Sequence, residues 1–136
     1  MRINDRAIES YGAVRVDARL IDANNAQLIL MLFDGLIENL LDAKRHMGLK
    51  EIRQKSEHIN RASRIIIGLQ STLNFEKGGE LALNLDDLYT YFLRRLVVAN
   101  ANNDTSIMDE IYDLVGQIRQ AWLTLPGCRP QGRRPS

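Results

Sequence analysis

Residues 24–47 read NNAQLILMLFDGLIENLLDAKRHM, and they hold the strongest helical pattern of the chain. Apolar residues recur there every three or four positions, and a second apolar set widens the stripe. Asn24 and Gln27 stand at the spacing of a capping box, which predicts the start of a helix, and Gly48 is expected to end it. The stripe consists of Leu28, Leu32, Leu36, Leu40, Ala43 and Met47, flanked by Ile29, Phe33, Ile37 and Leu41.

Three further helices follow from the same periodicity. The second is predicted over about residues 50–73 and the third after a double-glycine turn at 75–80, ending near residue 101. The fourth begins at Thr105 or Ser106, with Ser106 and Asp109 in capping-box spacing, and stops at Pro126. Their stripes are Ile52, Ile59, Ile66 and Leu73; Leu81, Leu85, Leu88, Phe92, Leu96 and Ala99; and Ile107, Ile111, Leu114, Ile118, Trp122 and Leu125.

Four helices of similar length with short connections predict an all-α protein, an antiparallel up-down four-helix bundle. The chain has 136 residues, which suits one core. We expect an N-terminal arm, with a short helix at most, over residues 1–23, the bundle over 24–125, and a disordered tail over 126–136. The i,i+4 pairs Glu51 with Lys55 and Glu57 with Arg61 are expected to mark the solvent face of the second helix.

Charge and composition exclude several classes of function. The chain carries 18 basic and 17 acidic residues, so its net charge of +1 gives no strong field for nucleic acid. The longest apolar run, Leu28 to Phe33, is too short to span a bilayer, and residues 1–15 lack the apolar run of a signal peptide. The single cysteine, Cys128, permits no internal disulfide. These features predict a cytoplasmic protein without membrane insertion.

The sequence offers no catalytic constellation, and we predict that the protein is not an enzyme. Arg53 and His58 share the Arg-x4-His spacing of the helical HEPN ribonucleases, but the surrounding polar residues indicate a solvated face, so this nuclease stays an alternative. His46 is interpreted as a cation at a helix C-terminus. Neither histidine has the Glu three positions earlier that a di-iron bundle requires, and no metal or other cofactor is predicted.

Surplus apolar residues on the first and third helices predict an exposed groove for an amphipathic segment. Tyr89 and Tyr91 lie two positions apart, so both cannot face the core, and one is expected to project towards solvent or a partner. Asn100 either caps the carbonyls that end the third helix or offers its amide to a client backbone.

Five sequence blocks, taken in order, resemble the pattern of the FliS family. They are LILMLFDG at residues 28–35, GGELALNL at 78–85, LYTYF at 88–92, AN at 99–100 and IRQAW at 118–122. Ile8 and Tyr11 also resemble the family's N-terminal arm. The chain departs from the family pattern at Asn24-Asn25, where a small residue and Pro are usual, and at Phe33, where Tyr is frequent.

The resemblance implies an export chaperone that binds the C-terminal segment of flagellin one to one, prevents premature polymerisation and delivers it for flagellar type III export. It also implies contact with the export gate and regulators, and an arm that adjoins the client groove. A generic helix-binding adaptor remains the other alternative. The residues that the resemblance assigns to client binding are Ile8, Tyr11, Leu28, Leu32, Leu85, Leu88, Tyr89, Tyr91, Phe92, Leu96, Asn100, Ile107 and Ile111.

Overall fold

The first helix is the central element of the structure, a computed structural model that describes residues 25–124. This helix, α1, spans Asn25–Gly48. All six positions of its predicted stripe are buried, because α1 packs against two neighbours at once. The proposed cap at Asn24, the arm and the tail lie outside the described residues.

Three further helices complete the described fold: α2 over Ile52–Ser71, α3 over Phe75–Asn102 and α4 over Thr105–Leu123. α1 packs against α2 and α4, and α3 packs against the same two helices. The described residues therefore form an all-α four-helix bundle, as predicted. Their connections, residues 49–51, 72–74 and 103–104, are as short as an up-down arrangement requires.

Polar contacts between α2 and α3 establish that these two helices run antiparallel. Near the end of α2, Gln70 Nε2 donates to Asp86 Oδ1 and Thr90 Oγ1 near the middle of α3, each at 3.0 Å. At the other end of the same pair, Lys55 Nζ donates to the Asn100 carbonyl at 2.9 Å. The order of contacts along α2 is thus the reverse of the order along α3.

The closing pair of the bundle, α1 with α4, is antiparallel by the same criterion. Arg119 Nε, late in α4, lies 2.8 Å from Asp34 Oδ1, early in α1. Lys44 Nζ, late in α1, lies 2.6 Å from Asp109 Oδ1, early in α4. Both pairs are solvent-exposed, so they define the alignment of the helices more than they stabilise it.

The start of α3 differs from the prediction. Residues 75–78 are helical, because Asn74 accepts a hydrogen bond from Lys77 N at 2.9 Å and so caps an extra turn. The predicted turn shrinks to a kink at Gly79, whose φ of 52° and ψ of −127° are open to glycine. Beyond the kink, Ala82 is buried and Leu81, expected on the stripe, is exposed.

Two predictions about helix starts were wrong. Asp104, not Ser106, caps α4: its Oδ1 accepts from Ser106 N at 3.0 Å and from the Ser106 hydroxyl at 2.6 Å. The hydrogen bond from the hydroxyl is the main cause that holds the pKa of Asp104 below its usual value. Ile52, predicted on the core stripe of α2, is instead exposed at the first turn, where no neighbouring helix covers it. Ile59 and Ile66 are buried as expected, and Leu73 packs on the core edge.

Candidate functional site

An open groove of about 520 Å³ runs between the first half of α2 and the last turns of α3. Ile59 and Leu96 are buried at its floor. Ile52 and Val97 form its rim and are 68% and 69% exposed, the highest values among the exposed large apolar residues described. Apolar side chains left uncovered at the edge of a concave surface are typical of a site for an amphipathic segment.

The rim consists of apolar side chains that lie outside the buried stripes of α2 and α3. Val97 follows the fully buried Leu96 by one residue, so it points about 100° away from the core. Ile52 is the first residue of α2, ahead of Lys55, the first buried residue of that helix. The same helical geometry that buries Leu96 therefore exposes Val97.

One end of the groove is polar and is organised by Lys55. This side chain is 6% exposed, and its Nζ donates to the Asn100 carbonyl at 2.9 Å and to Asn103 Oδ1 at 3.0 Å. The expectation that Lys55 pairs with Glu51 on a solvent face was wrong. Glu51 Oε1 instead lies 2.5 Å from His46 Nδ1.

The position of Lys55 had a detectable sequence signal. Residues 52, 55, 59, 62, 66 and 69 alternate steps of three and four, the spacing of a buried helical seam. Lys55 occupies one of these seam positions, between Ile52 and Ile59. The interpretation of residues 51–61 as charge pairs overlooked that a lone polar residue on a seam is a candidate for a specific buried role.

Asn103, rather than Asn100, caps α3. It adopts the left-handed conformation with φ of 52°, and its N–H donates to the Ala99 carbonyl. Its side chain accepts from Lys55 and donates through Nδ2 to the Met47 carbonyl at 3.2 Å, so it joins α1, α2 and α3. Asn100 Oδ1 lies 3.4 Å from Ser56 Oγ, and its contact with a client stays a prediction.

The structure separates Tyr89 and Tyr91 as their spacing predicts. Tyr89 is buried beside Phe92, with ring centroids 6.3 Å apart, and burial raises the pKa of its hydroxyl. Tyr91 is half-buried and donates its hydroxyl proton to Glu110 Oε2 of α4 at 2.6 Å, and this hydrogen bond raises its pKa. Tyr91 therefore links α3 to α4 at the edge of the core.

The residues predicted to bind a client fall into three groups. The first group is fully buried in the core: Leu28, Leu32, Tyr89, Phe92, Leu96, Ile107 and Ile111. The second group is half-buried at the core edge or in the groove: Leu85, Leu88, Tyr91 and Asn100. Ile8 and Tyr11 lie outside the described residues. Client binding by all three groups stays a prediction, and Leu96 and Asn100 are the members that line the α2–α3 groove.

His58 lies between α1 and α2, which corrects the expectation of a solvated face. Its Nδ1 is 2.9 Å from Asn39 Oδ1, and its ring stacks on His46 with centroids 5.3 Å apart and planes 7° from parallel. Burial lowers the pKa of His58, and Asp42 at 4.0 Å partly offsets this effect. Arg53 is solvent-exposed. These contacts give His58 a packing role at the α1–α2 interface.

Within residues 25–124, no cluster of three or more His, Cys, Asp or Glu residues could hold a metal ion. No helix in that range combines the length and apolar character needed to cross a membrane. Taken together, these residues form a helical-bundle protein with an open groove that has exposed apolar side chains at its rim.

Comparison with known proteins identifies the family. The family model described as flagellar protein FliS matches residues 7–126, nearly the whole chain, and the chain belongs to the FliS family. The flagellar secretion chaperone FliSB of Pseudomonas aeruginosa is 42% identical over 117 residues, which cover 86% of this chain and 93% of the relative. The flagellar secretion chaperone FliS of Salmonella typhimurium is 40% identical over 116 residues, 85% of this chain and 86% of the relative.

Proposed function

We propose that this chain is a cytoplasmic export chaperone that binds the C-terminal segment of flagellin, one to one, and delivers it for flagellar type III export. Membership of the FliS family over residues 7–126 is the observation that carries the proposal. The match covers 93% and 86% of the two relatives that are named flagellar secretion chaperones, so the similarity is not limited to a short shared motif.

The α2–α3 groove is the client site that we propose among the described residues. It offers apolar side chains at its floor, Ile59 and Leu96, and at its rim, Ile52 and Val97, to one face of an amphipathic helix. A second exposed apolar set lies on the first turns of α3 at Phe75, Leu81 and Leu83. A client long enough to contact both sets follows α3 along most of its length.

The mechanism follows from coupled folding and binding. A disordered client segment loses conformational entropy when it orders on the bundle, at a cost of roughly 2–5 kcal/mol, so a long apolar contact is needed to offset that cost. The resulting complex masks the client surface that would otherwise pack against other flagellin subunits. Its affinity remains moderate, and release at the export gate needs no ATP.

The N-terminal arm belongs to the same proposal. From the family resemblance alone, we propose that Ile8 and Tyr11, which lie outside the described residues, take part in client binding. The export gate and flagellar regulators are the further partners that the proposal includes.

Seeded assembly of the same organism's flagellin tests the proposal. An equimolar amount of the chaperone should suppress filament growth measured by light scattering, because the bound C-terminal segment cannot pack. Val97→Asp should abolish most of this suppression, since it places a charge on the rim of the groove. Leu41→Asp, at an exposed apolar position of α1 away from the groove, is the matched control and should suppress growth like the wild type. Unhindered growth with the wild-type protein would contradict the proposal.

A further inference from the structure

Lys55 is the one buried charged residue that the core of residues 25–124 contains. We infer that its ammonium group is a specificity determinant of the α2–α3 groove and binds a carboxylate of the client. The carboxylate comes either from an acidic side chain or from the C-terminus of the client segment. This inference rests on the proposed function and names the chemistry by which that site selects its client.

The charge of Lys55 has no carboxylate counterpart among the described residues. Buried lysines are rare because an ammonium group removed from water needs a partner of opposite charge or several acceptors. No described Asp or Glu lies within ion-pairing distance of Lys55 Nζ, and Glu51, one turn earlier, is engaged by His46. The positive charge in the groove is therefore compensated by dipoles alone.

One of the three N–H donors of the Lys55 ammonium group makes no hydrogen bond to the described residues. An ammonium group has three N–H donors, and two of them go to the Asn100 carbonyl and to Asn103 Oδ1, both neutral oxygens. The C-terminal end of α3 adds a partial negative charge, about half an elementary charge at most. The third donor has no acceptor in residues 25–124, and Lys55 lines the groove, so a ligand in the groove can supply that acceptor.

The surroundings of Lys55 favour a single carboxylate over a larger anion. Among the described residues, Lys55 is the only charged one that lines the groove, whose other lining residues are apolar or neutral polar ones such as Asn60 and Ser63, and the whole chain has a net charge of +1. One cation in a groove without other charges matches one carboxylate, whereas a polyanion would require several cations. A charge-assisted hydrogen bond is also stronger in such a partly desolvated site than in water.

A purely structural role makes a different prediction. If Lys55 serves only to hold α2 against the end of α3, its removal lowers stability and weakens every client peptide alike. If Lys55 binds a carboxylate, affinity depends on one particular carboxylate of the client. The two roles are therefore distinguished by changing the peptide while the chaperone stays unaltered.

The experiment titrates the full-length protein with a flagellin C-terminal peptide and its variants by calorimetry. In one series each Asp or Glu of the peptide is replaced singly by Asn or Gln, and in a separate variant the C-terminus is amidated. We expect one of these peptides to bind about tenfold more weakly or worse, because it loses a charge-assisted hydrogen bond, and the others to bind normally. Whether a side-chain variant or the amidated peptide is affected identifies the source of the carboxylate.

Chaperone variants complete the cycle. Lys55→Met should bind the parent peptide as weakly as the wild type binds the affected variant, and it should no longer distinguish carboxylate from amide. Lys55→Arg should retain the distinction, and Lys44→Met, which removes a solvent-accessible cation of α1 outside the groove, should behave as the wild type. Because the peptide series uses the unaltered chaperone, it remains decisive even where Lys55→Met fails to fold.

If the parent peptide binds and every carboxylate variant binds equally well, the inference about Lys55 is wrong and the proposed function still stands. No binding of the parent peptide would overturn both.

Discussion

At the scale of single residues, His58 at the α1–α2 interface couples folding to pH. Burial lowers the pKa of His58 in the folded protein from 6.5, so the folded state binds fewer protons than the unfolded chain once the pH falls below that value. The groups that act on His58 are Asp42, Arg45 and His46 from α1, and Arg61 from α2. The contribution of His58 to stability is thus fully present above pH 6.5 and is lost as the pH falls through its lowered pKa.

We predict that the free energy of unfolding falls between about pH 7.5 and about pH 5.5 and that His58→Gln reduces this fall, because glutamine does not titrate. Urea unfolding at the two pH values measures the effect. Gln54→His, which adds an exposed histidine to the same helix, is the control and should show the wild-type dependence. An equal fall in wild type and His58→Gln would contradict the assignment.

Residue-scale prediction from sequence succeeded where burial follows periodicity and failed where polar residues interact across helices. Leu36, Leu40 and Ala43 are buried as their spacing requires. Lys55 and His58 were both interpreted as solvent-facing, since polar type alone predicts exposure. Their partners Asn103 and Asn39 lie 48 and 19 residues away, and no local pattern specifies such pairs.

At the scale of elements, the kink of α3 depends on one glycine. Gly79 has φ of 52° and ψ of −127°, a backbone conformation that a Cβ atom makes strained. We predict that Gly79→Ala lowers the free energy of unfolding by about 1–3 kcal/mol, although no atom would touch the new methyl group. Gly116→Ala is the matched control: this glycine lies inside α4 with open space at its Cβ position, so alanine should raise stability by up to about 1 kcal/mol.

Chemical denaturation measures the change in the free energy of unfolding of each variant, which should be negative for Gly79→Ala and positive for Gly116→Ala. A loss of stability in Gly116→Ala, or none in Gly79→Ala, would contradict the backbone geometry described for these helices.

The helices themselves were largely predictable, and their ends were less so. The extent of α1 was predicted to within one residue at its C-terminus, because a stripe of six buried positions and a following Gly48 mark it clearly. The paired glycines before α3 predicted a turn, but Asn74 extends the helix backwards by capping. Periodicity also placed Ile52 and Leu81 in the core, since a stripe does not reveal where the neighbouring helix stops.

At the scale of the whole molecule, the way each helix packs against two others forms the bundle and leaves the groove between α2 and α3 open. Each helix has two neighbours in the described structure, so the outer surface between α2 and α3 stays open. The fold class followed from sequence because four stripes and short connections leave few arrangements. The position of the groove did not, because it depends on which side chains the ends of the helices leave uncovered, Ile52 and Val97 above all.

Calorimetric titration of the purified full-length protein with roughly the last forty residues of the same organism's flagellin tests the central claim most directly, since that length matches an interface of standard size. The proposed function predicts one-to-one binding with a large negative heat-capacity change, because an extensive apolar surface is buried when the segment orders on the bundle. No heat of binding and no rise in the melting temperature of the chaperone at saturating peptide would contradict it.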